Sequence, residues 1–206
     1  MKPRAALLFC ILSLLTVGLF VLDMTVGAVR IPPGDIWAAL TGGDCPAATA
    51  KIVLHIRLLK AVVALTAGAA LAVSGLQMQT LFRNPLAGPY VLGISSGASF
   101  GVALFMLGAP LLGIAGSQGS NALGVAGAAC VGAAAILAVI AAVSRRIRDI
   151  MVILILGMMF GSGVSAVVQI MQYLSDEAAL KSFVIWTMGS LGDVTASQLA
   201  LLLPAV

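Results

Sequence analysis

Few side chains in this sequence could do chemistry, and their types narrow what it can be. There is no GxxxxGK[ST] phosphate loop, no HExxH helix and no pair of carboxylates inside an apolar run. The polar groups within apolar runs are hydroxyls and amides: Ser74, Gln77 and Gln79 in one run, Ser162, Ser165, Gln169 and Gln172 in another. Gln169 and Gln172 stand three apart, so they share a helix face. Uncharged donors and acceptors of this kind suit a wide, weakly binding passage rather than an ion site. Helix packing or an interhelical hydrogen bond is the default reading of each one alone. Proton coupling is disfavoured, because acids or histidines would be expected within the spans. His55 has no His or Cys neighbour, Cys10 and Cys130 fall in apolar runs, and Cys45 stands alone in a polar loop. These spacings match no disulfide or metal pattern. The sequence therefore predicts no catalytic residue, no metal ligand and no cofactor, and any uphill work must draw its energy from elsewhere.

The elements that would position these groups are membrane helices. The 206 residues are 61% hydrophobic and 9% charged, whereas soluble domains run at about 45–50% and about 25%. A soluble fold would lack the charged side chains to cover its surface, and long apolar runs exclude a membrane barrel built from short alternating strands. The net charge of +4 is no nucleic-acid signal, because the basic residues are scattered in loops and aromatics make up only 5%. We expect an all-α polytopic membrane protein forming a single transmembrane domain over 1–206. Its complete helices are expected at about 5–22, 61–82, 91–107, 121–143 and 150–174, with a truncated sixth at 194–206. Only a short stretch follows Asp193, too little to span, so the chain is expected to stop inside a helix. The run Ala5–Leu22 is longer than a usual signal-peptide core and reads as an uncleaved first helix; the rival is a signal peptide cleaved near Val26-Gly27-Ala28.

Residues 23–56 read as a polar interlude with a short helix starting near Pro33, and Trp37 suits a membrane interface. The uncharged run Ala61–Leu81 is long enough to cross a bilayer core about 30 Å thick. Pro85 then restricts Asn84, so the helix should stop near Phe82 and turn back through Arg83-Asn84-Pro85-Leu86-Ala87-Gly88-Pro89. Small residues recur as Ala64, Gly68, Ala72, as Gly93, Gly97, Gly101 with Ser95, Ser96 and Ser99 beside them, and as Gly157, Gly161. Such stripes let membrane helices approach closely. Gly108–Ser120 reads as a Gly-rich connection, and 175–193 as a polar segment carrying Trp186–Leu191. Basic residues are denser in 1–4, 82–90 and 144–149, which predicts a cytoplasmic N-terminus. Arg57 and Lys60, on the opposite side, run against that rule.

The series Arg57-Leu58, Gly68–Ala72, Ser74-Gly75, Gln79, Arg83-Asn84-Pro85-Leu86-Ala87, Pro89, Leu92-Gly93 and Gly97-Ala98 resembles the signature of the FecCD permeases, and Trp186–Leu191 resembles the family's W-x-x-G segment. The sequence departs from that signature at Leu59, where the family usually has proline, and at Lys60, in place of arginine. The resemblance implies a permease subunit of an ATP-binding-cassette importer in a bacterial cytoplasmic membrane, carrying an iron chelate (siderophore or haem) or cobalamin. It implies pairing with a second permease copy or paralogue, cytoplasmic ATPase subunits that hydrolyse the ATP, and an extracytoplasmic substrate-binding protein. The motif residues Ser74, Gly75, Gln79, Arg83, Asn84, Pro85, Leu86, Pro89, Gly93 and Gly97 would shape the hairpin, and Ser162, Ser165, Gln169 and Gln172 are the expected passage lining. The chain as given corresponds to the front part of such a permease. Two other readings stay open: a truncated membrane fragment serving at most as an assembly or interaction subunit, and a self-contained secondary transporter, which the absence of intramembrane charge opposes.

Overall fold

The computed structural model describes residues 3–108, 122–147, 149–192 and 194–202. The expected Gly-rich connection, all but Gly108, lies outside these residues, as do Lys2, Arg148, Asp193 and the last part of the expected sixth helix. All the regular structure among the described residues is helical. In chain order it comprises α1 (Pro3–Thr25), α2 (Pro33–Thr41), α3 (Ala47–Ile52), α4 (Leu58–Phe82), α5 (Ile94–Ala103), α6 (Ala122–Ser144), α7 (Ile150–Leu174), α8 (Glu177–Met188) and α9 (Ala196–Leu202). A π turn, Val53–Arg57, joins α3 to α4, and another, Leu104–Gly108, extends α5. Among the described residues four continuous helices are long and apolar enough to cross a membrane: Arg4–Thr25, Ala47–Phe82, Ala122–Ser144 and Ile150–Leu174. Ile94–Gly108 is apolar but shorter. At about 1.5 Å per residue it covers about 22 Å, less than the ~30 Å core.

The chain divides into two compact units, the first comprising residues 1–70 and 191–206 and the second 71–190. The first is organised around a buried arginine. Met24, Ile31, Ile36, Ala39, Val53 and Ala61 form its apolar cluster, and Arg57 lies beside them, only 6% exposed. Its Nη1 donates to the carbonyls of Met24 (2.7 Å) and Thr25 (3.1 Å), and its Nη2 to that of Val29. The last carbonyls of a helix have no intrahelical partner and carry the negative end of its dipole. The guanidinium thus satisfies the end of α1 while those carbonyls compensate its buried charge. Gly27 leaves room for the guanidinium: a Cβ there would stand 2.8 Å from Nη2. Lys60 pairs with Asp23 at 3.3 Å. The two cations that run against the charge rule are therefore held by the α1 terminus and by an acid. At α9, the Thr195 amide donates to Gln198 Oε1 (2.8 Å) and the Gln198 amide to Thr195 Oγ1 (3.4 Å), a capping box that starts the helix where the sequence predicted.

The second unit is built on α5, α6 and α7. Asn84 N–H donates to Gln79 O (3.2 Å) and Arg83 N–H to Thr80 O (3.4 Å), closing α4 with Arg83 at φ 48°. This left-handed position usually belongs to glycine. Asn84 Oδ1 accepts from the Leu86 amide at 2.9 Å and orders the turn before Pro89. Phe82, Ala87 and Leu92 are buried with Ile136 and Ile140, so the knot is fastened to α6. The helix expected from 91 starts later. Pro89–Leu92 is a 3-10 turn, and Gly93 at φ 74° breaks the backbone before Ile94. The expected Gly93–Gly97–Gly101 stripe is also split, because Gly93 caps the helix with a left-handed φ while Gly97 and Gly101 lie within it. Gly93 meets α7, whereas Gly97 and Gly101 meet α6.

Two further differences have local causes. The segment 175–193 contains α8, whose N-cap Asp176 accepts from the Ala179 amide at 3.4 Å. Phe183 is buried beneath it, with the Trp186 ring 6.0 Å away. The signal was legible as an N-cap acid followed by Ala179, Phe183 and Trp186 at helical spacing. The helix expected from Ala61 begins as far back as Ala47, because the π turn lets α3 run into α4 and brings Arg57 inward. By contrast, the stripe Ala64, Gly68, Ala72 is not a packing seam within the described chain, since nothing lies near Gly68.

The α5–α6 seam is closed by backbone contact: a Cβ on Gly132 would collide with the Gly97 carbonyl, and one on Gly101 with the Ala128 carbonyl. Gly127, on the same helix as Gly132, meets open space. Gly132→Ala should lower stability by about 1–3 kcal/mol through overpacking, while Gly127→Ala should be neutral or raise it by up to about 1 kcal/mol. Detergent-to-SDS unfolding of the purified variants checks the pair.

Candidate passage-lining groove

The groove lies where the 3-10 turn and α5 meet α7. Gly157 and Gly161, one helical turn apart, bring α7 against the backbone of the turn. A Cβ on Gly157 would stand 2.9 Å from Leu92 Cα, and one on Gly161 3.1 Å from Gly93 Cα. A Cβ on Gly93 would in turn stand 3.0 Å from both Gly157 O and Gly161 Cα. Past the glycines the helices are joined by a hydroxyl pair, Ser165 Oγ donating to Ser96 Oγ at 3.1 Å. Beside this seam opens a cavity of about 610 Å³. It is lined by Gly93 and Ser96 and, on α7, by Met158, Gly161, Ser162, Ser165, Ala166 and Gln169. Tyr90 and Val91 form the end towards the knot. The Tyr90 ring rests over Gly88, where a Cβ would stand 2.6 Å away.

No charged side chain lines this cavity. Ser162 donates back to Met158 O at 2.9 Å, within its own helix. The surface offers scattered hydroxyl, amide and thioether groups. It can wet a molecule weakly at many points but cannot hold an ion by charge. Among the described residues no three of His, Cys, Asp and Glu come together as a metal site would require.

Three of the four expected lining residues, Ser162, Ser165 and Gln169, lie together in the groove; Gln172 is half-buried and not on its wall. Of the motif residues, Gly93 joins the groove and Gly97 faces Gly132 and Ile136 of α6. Arg83, Asn84, Pro85, Leu86 and Pro89 form the knot, with Leu86 83% exposed at its tip. Ser74 donates within α4 to Leu71 O at 3.2 Å, Gly75 meets nothing, and Gln79 contributes its carbonyl to the helix end. Tyr90, Ser96 and Met158 were not singled out as lining. Setting the Gly93 turn against Gly157/Gly161 would have found Ser96, which stands one turn beyond Gly93 as Ser165 stands one turn beyond Gly161.

Helices of this length and composition, closed by glycine seams, define a multi-pass α-helical membrane protein. The chain belongs to the FecCD transport family, whose model matches residues 14–206. It is 36% identical over 202 residues to a hemin transport system permease protein of Yersinia pestis, covering 96% of this chain and 57% of that one. It is 31% identical over 185 residues to a molybdate import system permease protein of Haemophilus influenzae, covering 87% and 52%. A solved inward-facing metal-chelate type ABC transporter matches at TM-score 0.74 and 27% identity, covering 94% of this chain and 56% of that chain. The chain thus spans about half the length of these curated relatives.

The hydroxyl pair gives a measurable consequence. In a double-mutant cycle of Ser96→Ala and Ser165→Ala, the coupling should be about 0.6 kcal/mol, the typical worth of an interhelical hydrogen bond in a membrane protein. SDS unfolding of the two single variants and the double variant measures it.

Proposed function

We propose that this chain forms part of the translocation passage of an ATP-driven importer, as a permease subunit carrying an iron chelate, such as a ferric siderophore or haem, or cobalamin. The observation that carries the reading is the uncharged groove of about 610 Å³ along α7, polar enough to stay wet and without a charge to trap its cargo. Relatives whose names specify hemin, ferric enterobactin and vitamin B12 transport support this cargo class. The chain has no phosphate loop of its own, so hydrolysis falls to separate cytoplasmic ATPase subunits. A second permease copy or paralogue closes the passage, and an extracytoplasmic binding protein delivers the cargo. The site is a bacterial cytoplasmic membrane, with the N-terminus and the Arg83–Pro89 knot on the cytoplasmic side. The single transmembrane domain belongs to the same proposal: both compact units serve one permease.

The test is uptake by the whole assembled transporter. Gln169→Trp narrows the groove and should abolish most uptake of the cognate chelate at unchanged membrane expression. Arg83→Glu should likewise insert normally and impair uptake, because it reverses the charge of the knot. Uptake at the native rate in both variants, with normal expression, would contradict the reading.

A further inference from the structure

The helix α2 has two unlike flanks. Ile36 and Ala39, three residues apart, are each 6% exposed and face Met24, Ile31, Val53 and Ala61. At about 100° per residue, Pro33, Trp37 and Leu40 fall along one flank of that buried stripe and Asp35 along the other. The first flank carries no charge, and it is open: Trp37 is 71% exposed and Leu40 43%.

The depth of this open flank follows from what α2 is fastened to. Met24 belongs to the last turn of α1, and α1 is an apolar span whose most apolar stretch is left uncovered by the described residues. Beside it the Lys60–Asp23 ion pair, 46% and 37% exposed, marks where charge reaches water again. The helix α2 is thus held at the level where the α1 span ends. Its uncharged flank is, like the sides of α1, apolar and open, while Asp35 stands half-buried on the other flank. Indoles collect at this level of a bilayer, where the ring is apolar and its N–H finds a partner.

We propose that α2 lies in the plane of the bilayer surface, with Trp37 and Leu40 seated in the lipid at the boundary between headgroups and acyl chains. In this role α2 is an anchor that sets the depth of the α1 terminus clamped by Arg57. The proposal rests on the chain's membrane class and not on its cargo, so the transport reading can fail without it.

The chain has two tryptophans, Trp37 and Trp186, so Trp186→Phe leaves Trp37 as the sole indole. The purified full chain is reconstituted into vesicles of phosphatidylethanolamine and phosphatidylglycerol. These are doped with a lipid brominated either near its carbonyl or near its methyl end. The expected result is a blue-shifted emission, a larger loss of fluorescence with the near-carbonyl label, and little loss with aqueous iodide. Strong iodide quenching with no effect of either brominated lipid would overturn the proposal and leave a water-facing surface for a protein partner. Greater quenching by the methyl-end label would also overturn it, placing the flank in the acyl core. Subtracting the signal of Trp37→Phe from that of the native chain gives the same reading without altering Trp186.

Discussion

Backbone touching backbone is the constraint on which the second unit depends. Inside a bilayer, lipid tails are as apolar as leucine, so burying apolar side chains does little to draw helices together, and close packing must supply the attraction. Here α5 and the turn before it reach two neighbours at once through glycine. Gly97 and Gly101 meet Gly132 and Ala128 of α6, and Gly93 meets Gly157 and Gly161 of α7. Each helical glycine costs about 1 kcal/mol relative to alanine, and the contacts it permits offset that loss. The groove follows from the same geometry. It opens beside the seam, bordered by Gly93, Gly161, Ser96 and Ser165 and by the neighbouring side chains of Met158, Ser162 and Gln169.

Helix ends are the second physical problem, and the two units solve it differently. The end of α1 is capped from a distance by Arg57, whose guanidinium satisfies three carbonyls and is itself buried by them. The end of α4 is closed locally, with Arg83 in a left-handed conformation that costs a non-glycine residue about 1–2 kcal/mol. The Asn84 side chain then ties down the amide of Leu86, and Phe82 and Ala87 are buried against α6. The hairpin motif is thus first a device for turning the chain at a fixed place on α6, which leaves Leu86 standing free at its tip.

Much of this was legible in the residues. Composition alone settles the membrane class, and the bounds of α6 and α7 follow from uncharged runs ended by Ser144-Arg145-Arg146 and begun after Asp149. That Ser162, Ser165 and Gln169 stand out on α7 was legible because polar groups are rare there, whereas nothing in the pattern separated them from Gln172, which is not on the groove wall. What was not legible depends on non-local or backbone facts. No pattern distinguishes a glycine inside a helix from Gly93, which interrupts one at φ 74°, so the stripe around it could not be assigned to two neighbours. The π turn that carries α3 into α4 has no residue signature. The capping of α1 joins residues about thirty positions apart, beyond the reach of any local rule. The helix α8 was legible in principle, but its charged first turn reads as a loop to anyone counting only apolar runs.

The central claim is that one face of α7 lines an aqueous passage while the rest of the helix does not. In a background with Cys10, Cys45 and Cys130 replaced by serine or alanine, single cysteines along α7 in the assembled transporter can be challenged with a membrane-impermeant maleimide. The account predicts labelling at 158, 162, 165 and 169, with helical period, and little at 159, 163, 167 and 170. Uniform protection of the first set, or labelling without period, would contradict it.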